Sequence, residues 1–289
     1  MVGLLGALVF GVLALSGFAA WWVVGHPERI RAGLTWVAER PAVDWVRSRY
    51  PQQWRFVSRR FAPGEAAGLT LTLGVAMVLA LGVGFRQTLD GVLESDGVTV
   101  ADRPVLGFLA AHRQPWSTSA AEVISDIGSP LGVAVTGLAV GVLLAWLRRS
   151  WLPLLIIVLG GTGIAVINTT VKRMVSRSRP PQLTAVLGEH GFSFPSGHTT
   201  GTTVVWLLSA WMVGRWVIGR GAGRVVVWVA ALLMIIAVGA ARVYLGVHFP
   251  SDVLAGWALG SAWAVTIALV AGVWEQARHR SPRSYVRST

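Results

Sequence analysis

A chain of 289 residues that is 54% apolar, with a mean hydropathy of +0.60 and its apolar residues bunched into long runs, is not a soluble domain but an integral membrane protein. Its formal charge of +12 would suit nucleic acid, yet the basic residues lie in the loops between the runs, where membrane topology accounts for them, so no nucleic-acid partner is expected. With no cysteine, disulfides and thiolate metal sites are excluded.

In chain order, the first run, Val2 to Val24, is long enough to span and ends in an interfacial pair, Trp21-Trp22. Its start lacks the positive charge of a secretory signal, so it reads as a retained helix. Residues 25–65 carry eight arginines. Pro27, Pro41 and Pro51 each precede a short stretch with one tryptophan (Trp36, Trp45, Trp54), the pattern of short amphipathic helices on a membrane surface or of a basic loop.

Six further spans follow: Ala66 to Phe85, Leu131 to Leu147, Trp151 to Val171, Thr199 to Ile218, Val225 to Val243 and Val253 to Val273. If the segment after the first helix is cytoplasmic, alternation also places Arg148-Arg149, then Arg215, Arg220 and Arg224, and then the basic tail inside. The same alternation puts Arg86 to Pro130, Lys172 to His198 and Tyr244 to Asp252 on the extracytoplasmic side. The first of these is acidic and is placed to cover the others as a lid. The expected organisation is an N-terminal helix and surface segment (1–65), a catalytic membrane domain (66–274) and a basic tail (275–289).

Three clusters between the spans carry the chemistry. Lys172 closes one span and Arg179-Pro180 follows seven residues later. The chain has 24 arginines and this single lysine, which points to an ammonium being wanted there. Arg173 and Arg177, beside them, are expected to snorkel to lipid headgroups. Pro195-Ser196-Gly197-His198 stands just before a helix, so its backbone N–H groups sit at a helix N-terminus, which favours an anion; Ser196 is equally suited to capping that helix. Arg242 ends another span, with His248 six residues on and Asp252 at i+4 from it. A carboxylate that accepts the Nδ1–H of a histidine leaves Nε2 free as a nucleophile. His198, His248 and Asp252 also match a two-histidine-one-carboxylate metal set, but Lys172, Arg179 and Arg242 repel a divalent cation and attract a phosphate, so no metal is expected.

Together the clusters resemble the signature of the type 2 phosphatidic acid phosphatase superfamily: Lys-x6-Arg-Pro, then Pro-Ser-Gly-His, then Ser-Arg-x5-His-x3-Asp. Here these are Lys172…Arg179-Pro180, Pro195 to His198, and Ala241-Arg242…His248…Asp252, with Ala241 in place of serine. The resemblance implies an all-α polytopic bundle, a six-helix core with one extra N-terminal transmembrane helix. It further implies that His248 is a nucleophile forming a phosphohistidine, that Asp252 orients it, and that His198 protonates the leaving oxygen and then activates water. Lys172, Arg179, Ser196, Gly197 and Arg242 would hold the phosphoryl oxygens, with no cofactor. The expected partner is a phosphorylated lipid, undecaprenyl diphosphate ahead of phosphatidic acid, phosphatidylglycerol phosphate or a polyprenyl-phosphoryl sugar phosphate. A lipid phosphotransferase and an idle lipid-binding or transport protein are the alternatives.

Overall fold

The computed structural model describes residues 66–181, 185–186, 189–218 and 221–280, with residues 45 and 48–52 besides. The first apolar run and nearly all of the proline- and tryptophan-punctuated segment lie outside the described residues. Those described form helices and no strand: α1 (Ala66–Glu94), a 3-10 turn (Gly97–Ala101), α2 (Asp102–Ala111), α3 (Pro115–Ile127), α4 (Pro130–Arg148), α5 (Leu152–Val175), α6 (Gly197–Trp216), α7 (Ala222–Tyr244) and α8 (Pro250–Arg280). Among the described residues, α1, α4, α5, α7 and α8 are long and apolar enough to cross a membrane. The protein is a multi-pass membrane protein.

The span expected over Thr199 to Ile218 is present as α6 but is less apolar than the other spans. Thr199, Thr200, Thr202 and Thr203 all lie in its first two turns and all are buried. A helix surrounded by protein need not be apolar where its hydroxyls find partners: Thr199 Oγ1 donates to Ser196 Oγ (2.9 Å), Thr200 Oγ1 to Ser196 O (2.6 Å) and Thr203 Oγ1 to Thr199 O (2.7 Å), while Thr202 Oγ1 has no partner among the described residues. The apolar side chains of α1 show the opposite: Leu73, Val75, Met77, Leu79 and Val83 are exposed, as a lipid-facing helix requires. Two expected boundaries shift. The segment 86–130 is mostly helical rather than a loop, and α8 continues to Arg280, into the expected tail.

The chain divides into two units, Met1–Leu71 with Val213–Ala230 and Thr72–Met212 with Ala231–Thr289. In the first, Arg224 Nε donates to Gly214 O (2.8 Å), tying the start of α7 to the end of α6. The second unit contains all three sequence clusters. There α8 is the helix on which the others converge. Trp263 Nε1 donates to Gly160 O on α5 (3.0 Å), and Trp257 Nε1 to Ile235 O on α7 (3.2 Å). Gly256 and Gly260, one turn apart, let α8 lie against α6: a Cβ on Gly260 would stand 2.8 Å from Thr200 O, which no side chain tolerates. That close approach carries the first turn of α8 to the N-terminus of α6. From the other side, Leu106 of α2 packs on Val243 and Val253, and Ala121 of α3 on Ala241, Leu245 and Val247. The loop between α7 and α8 is thereby held between the bundle and the short helices.

Candidate active site

His248 lies in that loop and is fully enclosed, with 1% of its side chain exposed. Two things fix its ring. Nδ1 is 3.2 Å from Asp252 Oδ2, and Nε2 is 3.2 Å from Arg179 Nη1. Arginine can only donate, so Nε2 is the acceptor and carries the lone pair, and Nδ1 carries the proton given to Asp252. Burial pushes the His248 imidazole down to about 4, against the pull of the Asp252 carboxylate, so the ring is neutral at physiological pH.

Asp252 is held by more than His248. As the third residue of α8, with Pro250 at the first position, it reaches back so that Oδ2 accepts the Phe249 N–H (3.0 Å), while Oδ1 accepts from Arg177 Nη1 (2.6 Å). Its carbonyl accepts the Ser196 N–H (3.0 Å), which joins the second cluster to the third.

The cations converge from the first cluster. Lys172, in the last turn of α5, donates Nζ to Phe192 O (2.6 Å) and Ser193 O (3.3 Å). Arg179 donates to Gly191 O (3.2 Å) and Val247 O (2.9 Å) as well as to His248, and its Nη2 is 3.0 Å from Glu189 Oε2. The other Glu189 oxygen is hydrogen-bonded by Arg242 Nη2. Arg242 also donates to Ser125 Oγ of α3 (2.7 Å), and its buried Nε has no partner among the described residues. Burial would raise the Glu189 carboxyl, but Arg242 and Arg179 outweigh it and hold it below the usual range, so Glu189 is ionised.

A cavity of about 610 Å³ opens onto these groups. Lys172, Arg179, Glu189, Gly197, His198 and His248 line its polar end; the rest is mainly apolar, walled by Val133 and Leu138 of α4, Ile157, Gly161 and Ala165 of α5 and Val205 of α6. His198 lies close enough to Arg242, Glu189 and Arg179 to feel their charges. Of the expected site residues, Lys172, Arg179, Gly197, His198 and His248 therefore share one cavity. Asp252 and Ser196 sit behind it. Ser196 is fully buried, and its Oγ accepts from Thr199 Oγ1 (2.9 Å) and Thr199 N (3.4 Å), so its hydroxyl caps α6 instead of facing the cavity. Arg242 reaches the cavity through Glu189.

Arg177, read from the sequence as a headgroup-facing residue, instead turns inward to Asp252, Ser251 and Asp102. Arg177 and Arg179 stand two apart on an extended segment, where such residues share a face, so local periodicity gives no sign that one turns to the cavity and the other away from it. Glu189 and Asp102 stand outside every motif, and nothing local in the sequence marks either.

Residues 150–276 match the model of the PAP2 superfamily. The chain is 29% identical over 176 residues to phosphatidylglycerophosphatase B of Bacillus subtilis, covering 61% of this chain and 86% of that protein. It is 30% identical over 174 residues to decaprenylphosphoryl-5-phosphoribose phosphatase of Mycobacterium tuberculosis, covering 58% of this chain and 88% of that protein. The crystal structure of a transmembrane PAP2-type phosphatidylglycerolphosphate phosphatase from Bacillus subtilis superposes with a TM-score of 0.62 at 25% identity, over 72% of this chain and 98% of that one. The chain belongs to the PAP2 superfamily, as a membrane-embedded phosphatase.

Proposed function

We propose that this protein hydrolyses a phosphate ester of a membrane lipid through a phosphohistidine on His248. The observation that carries the reading is the state of that ring: Nδ1–H directed to Asp252, and the Nε2 lone pair held at the polar end of a lipid-sized cavity. An incoming phosphoryl group takes over the Arg179 donor now directed at Nε2 and displaces Glu189 from Arg179 and Arg242. It thus gains the donors that Glu189 occupied, with Lys172 and the Gly197 amide beside them. The Nε2 lone pair then attacks phosphorus as the P–O bond to the lipid breaks, and His198, which takes up a proton as the phosphoryl dianion binds beside it, gives that proton to the departing oxygen. In the second half His198 takes a proton from water, whose oxygen attacks phosphorus and releases phosphate from His248. The fixed cations neutralise charge as it builds on the phosphoryl oxygens.

The apolar walls between α4 and α5 accommodate the lipid chain, the polar end its headgroup. Similar proteins bear the names phosphatidylglycerophosphatase and decaprenylphosphoryl-5-phosphoribose phosphatase, and a shorter stretch is similar to an undecaprenyl-diphosphatase, which supports a lipid phosphomonoester and undecaprenyl diphosphate alike as substrate. The arginine distribution supports an extracytoplasmic site. Phosphate release by the purified protein in EDTA, from phosphatidylglycerol phosphate, phosphatidic acid and undecaprenyl diphosphate with His248→Ala alongside, tests the reading. Release that survives EDTA and disappears in the variant is expected; no release from any of them by folded wild type would overturn it. Running the assay with an alcohol acceptor separates hydrolysis from transfer, since a phosphorylated acceptor marks a phosphotransferase.

A further inference from the structure

Behind His248, on the side away from the cavity, lies a second charged cluster that no step above uses. Asp102, the first residue of α2, is 2% exposed although it belongs to the acidic segment expected to stand over the site. Its Oδ1 accepts the Ser251 N–H (3.0 Å), and its Oδ2 accepts from Ser251 Oγ (2.5 Å) and Arg177 Nη2 (2.7 Å). Arg177 in turn donates Nη1 to Asp252 Oδ1 (2.6 Å) and to Ser251 Oγ (2.8 Å), with its guanidinium carbon 4.2 Å from the centre of the Phe249 ring. A buried carboxylate is costly unless fully partnered, and here two are joined by one planar fork.

We propose that Asp102 and Arg177 are positioning residues for the reaction: Asp102 aims the Arg177 fork, which fixes the Asp252 carboxylate and so the orientation and tautomer of His248. The inference rests on the reading of Asp252 as the carboxylate that orients the nucleophile. The geometry points to this role because Asp252 Oδ1 accepts from Arg177 and its Oδ2 from Phe249 and His248. Without Arg177, Oδ1 loses its donor, and the carboxylate is free to rotate about its last bond, taking the His248 partner with it. Asp102 supplies the counter-charge that lets Arg177 stay in place. Its N-terminal position on α2 means that the short helices over the membrane bundle form part of the catalytic support. Neither residue lines the cavity, so neither bears on substrate binding directly.

The test measures kcat and KM on a short-chain lipid phosphate in detergent for Asp102→Asn and Arg177→Lys, each in the wild-type background and in Asp252→Asn, with thermal melting of every variant. The expected result is a fall in kcat of about 10- to 100-fold for each single variant, with KM unchanged within about twofold. In the Asp252→Asn background neither change has a further effect, because the group they act through is already lost. Should Asp102→Asn not fold, Arg177→Lys carries the test: it keeps a cation beside Asp102 but cannot bridge both carboxylates. Unchanged kcat in a folded Arg177→Lys would overturn the inference, as would equal losses with and without Asp252. Full activity of Asp252→Asn itself would overturn the functional reading beneath it, whereas an impaired Asp252→Asn beside fully active Asp102→Asn and Arg177→Lys sinks the inference alone.

Discussion

The two sides of His248 are built differently. On the cavity side the cations are held by groups that a phosphate can replace, the Glu189 carboxylate above all, and Glu189 keeps 25% of its side chain exposed. On the rear side the carboxylates are Asp252 and Asp102, exposed by 0% and 2%, and their partners are backbone N–H groups, Arg177, the Ser251 hydroxyl and His248 itself. An exchangeable face and a fixed face around one ring suit the covalent phosphoryl transfer proposed for His248. The oxygen partners must come and go, whereas the nucleophile must return to the same position after each turnover.

The largest effect expected is at the ring itself. His248→Ala should lower phosphate release by at least about 10⁴-fold while leaving the circular-dichroism melt close to wild type. On the exchangeable face, Arg179→Ala should cost about 10²- to 10³-fold in kcat, with Arg179→Lys recovering little because one ammonium cannot meet both the nucleophile and the phosphoryl oxygens. Glu189→Gln should act in the other direction on binding: with the competing carboxylate gone, inhibition by inorganic phosphate tightens, by about tenfold, at some cost in stability. Phosphate inhibition that weakens in this variant would mean that Glu189 helps to hold the substrate.

The apolar end of the cavity is probed by Gly161→Leu. A Cβ there meets nothing within 4 Å, so the larger side chain enters the cavity without disturbing the packing. It should raise KM for long-chain lipid phosphates several-fold and leave a short-chain analogue unaffected; equal effects on both would place the lipid chain elsewhere. The smallest effect is on stability. His248 is lowered to about 4 in the fold against an ordinary value near 6.5, so between those values the unfolded chain binds the extra proton and stability rises with pH. A melting temperature that falls on acidification from about pH 6.5 to about pH 4, by on the order of 5 °C more in wild type than in His248→Gln, is the expected reading.

Much of this was legible in the sequence because it is periodic or local. Helices α4, α5, α7 and α8 declare themselves by apolar runs, and the spacing of Lys172 to Arg179 and of His248 to Asp252 is visible within single segments. The helix α6 was found too, although its buried threonines hide part of the signal. What was not legible depends on pairings across the fold. Arg177 meets Asp102 across 75 positions of sequence, and Arg242 meets Glu189 across 53, and no local pattern announces either pair. The sequence places Arg177 at a lipid headgroup because an arginine at a membrane edge usually is there; the buried carboxylates that draw it inward lie on other elements. Ser196 carried two readings, phosphate ligand or cap, and its hydroxyl is directed to Thr199.

The most direct test of the central claim is to mix the protein with a lipid phosphate, quench into base within the first turnover, and look by peptide mass spectrometry for a phosphoryl group. An alkali-stable, acid-labile adduct on the peptide bearing His248, more abundant in His198→Ala where its hydrolysis is slowed, is the predicted result. A turning-over enzyme with no adduct on His248 at any time, or with the adduct on another residue, would contradict it.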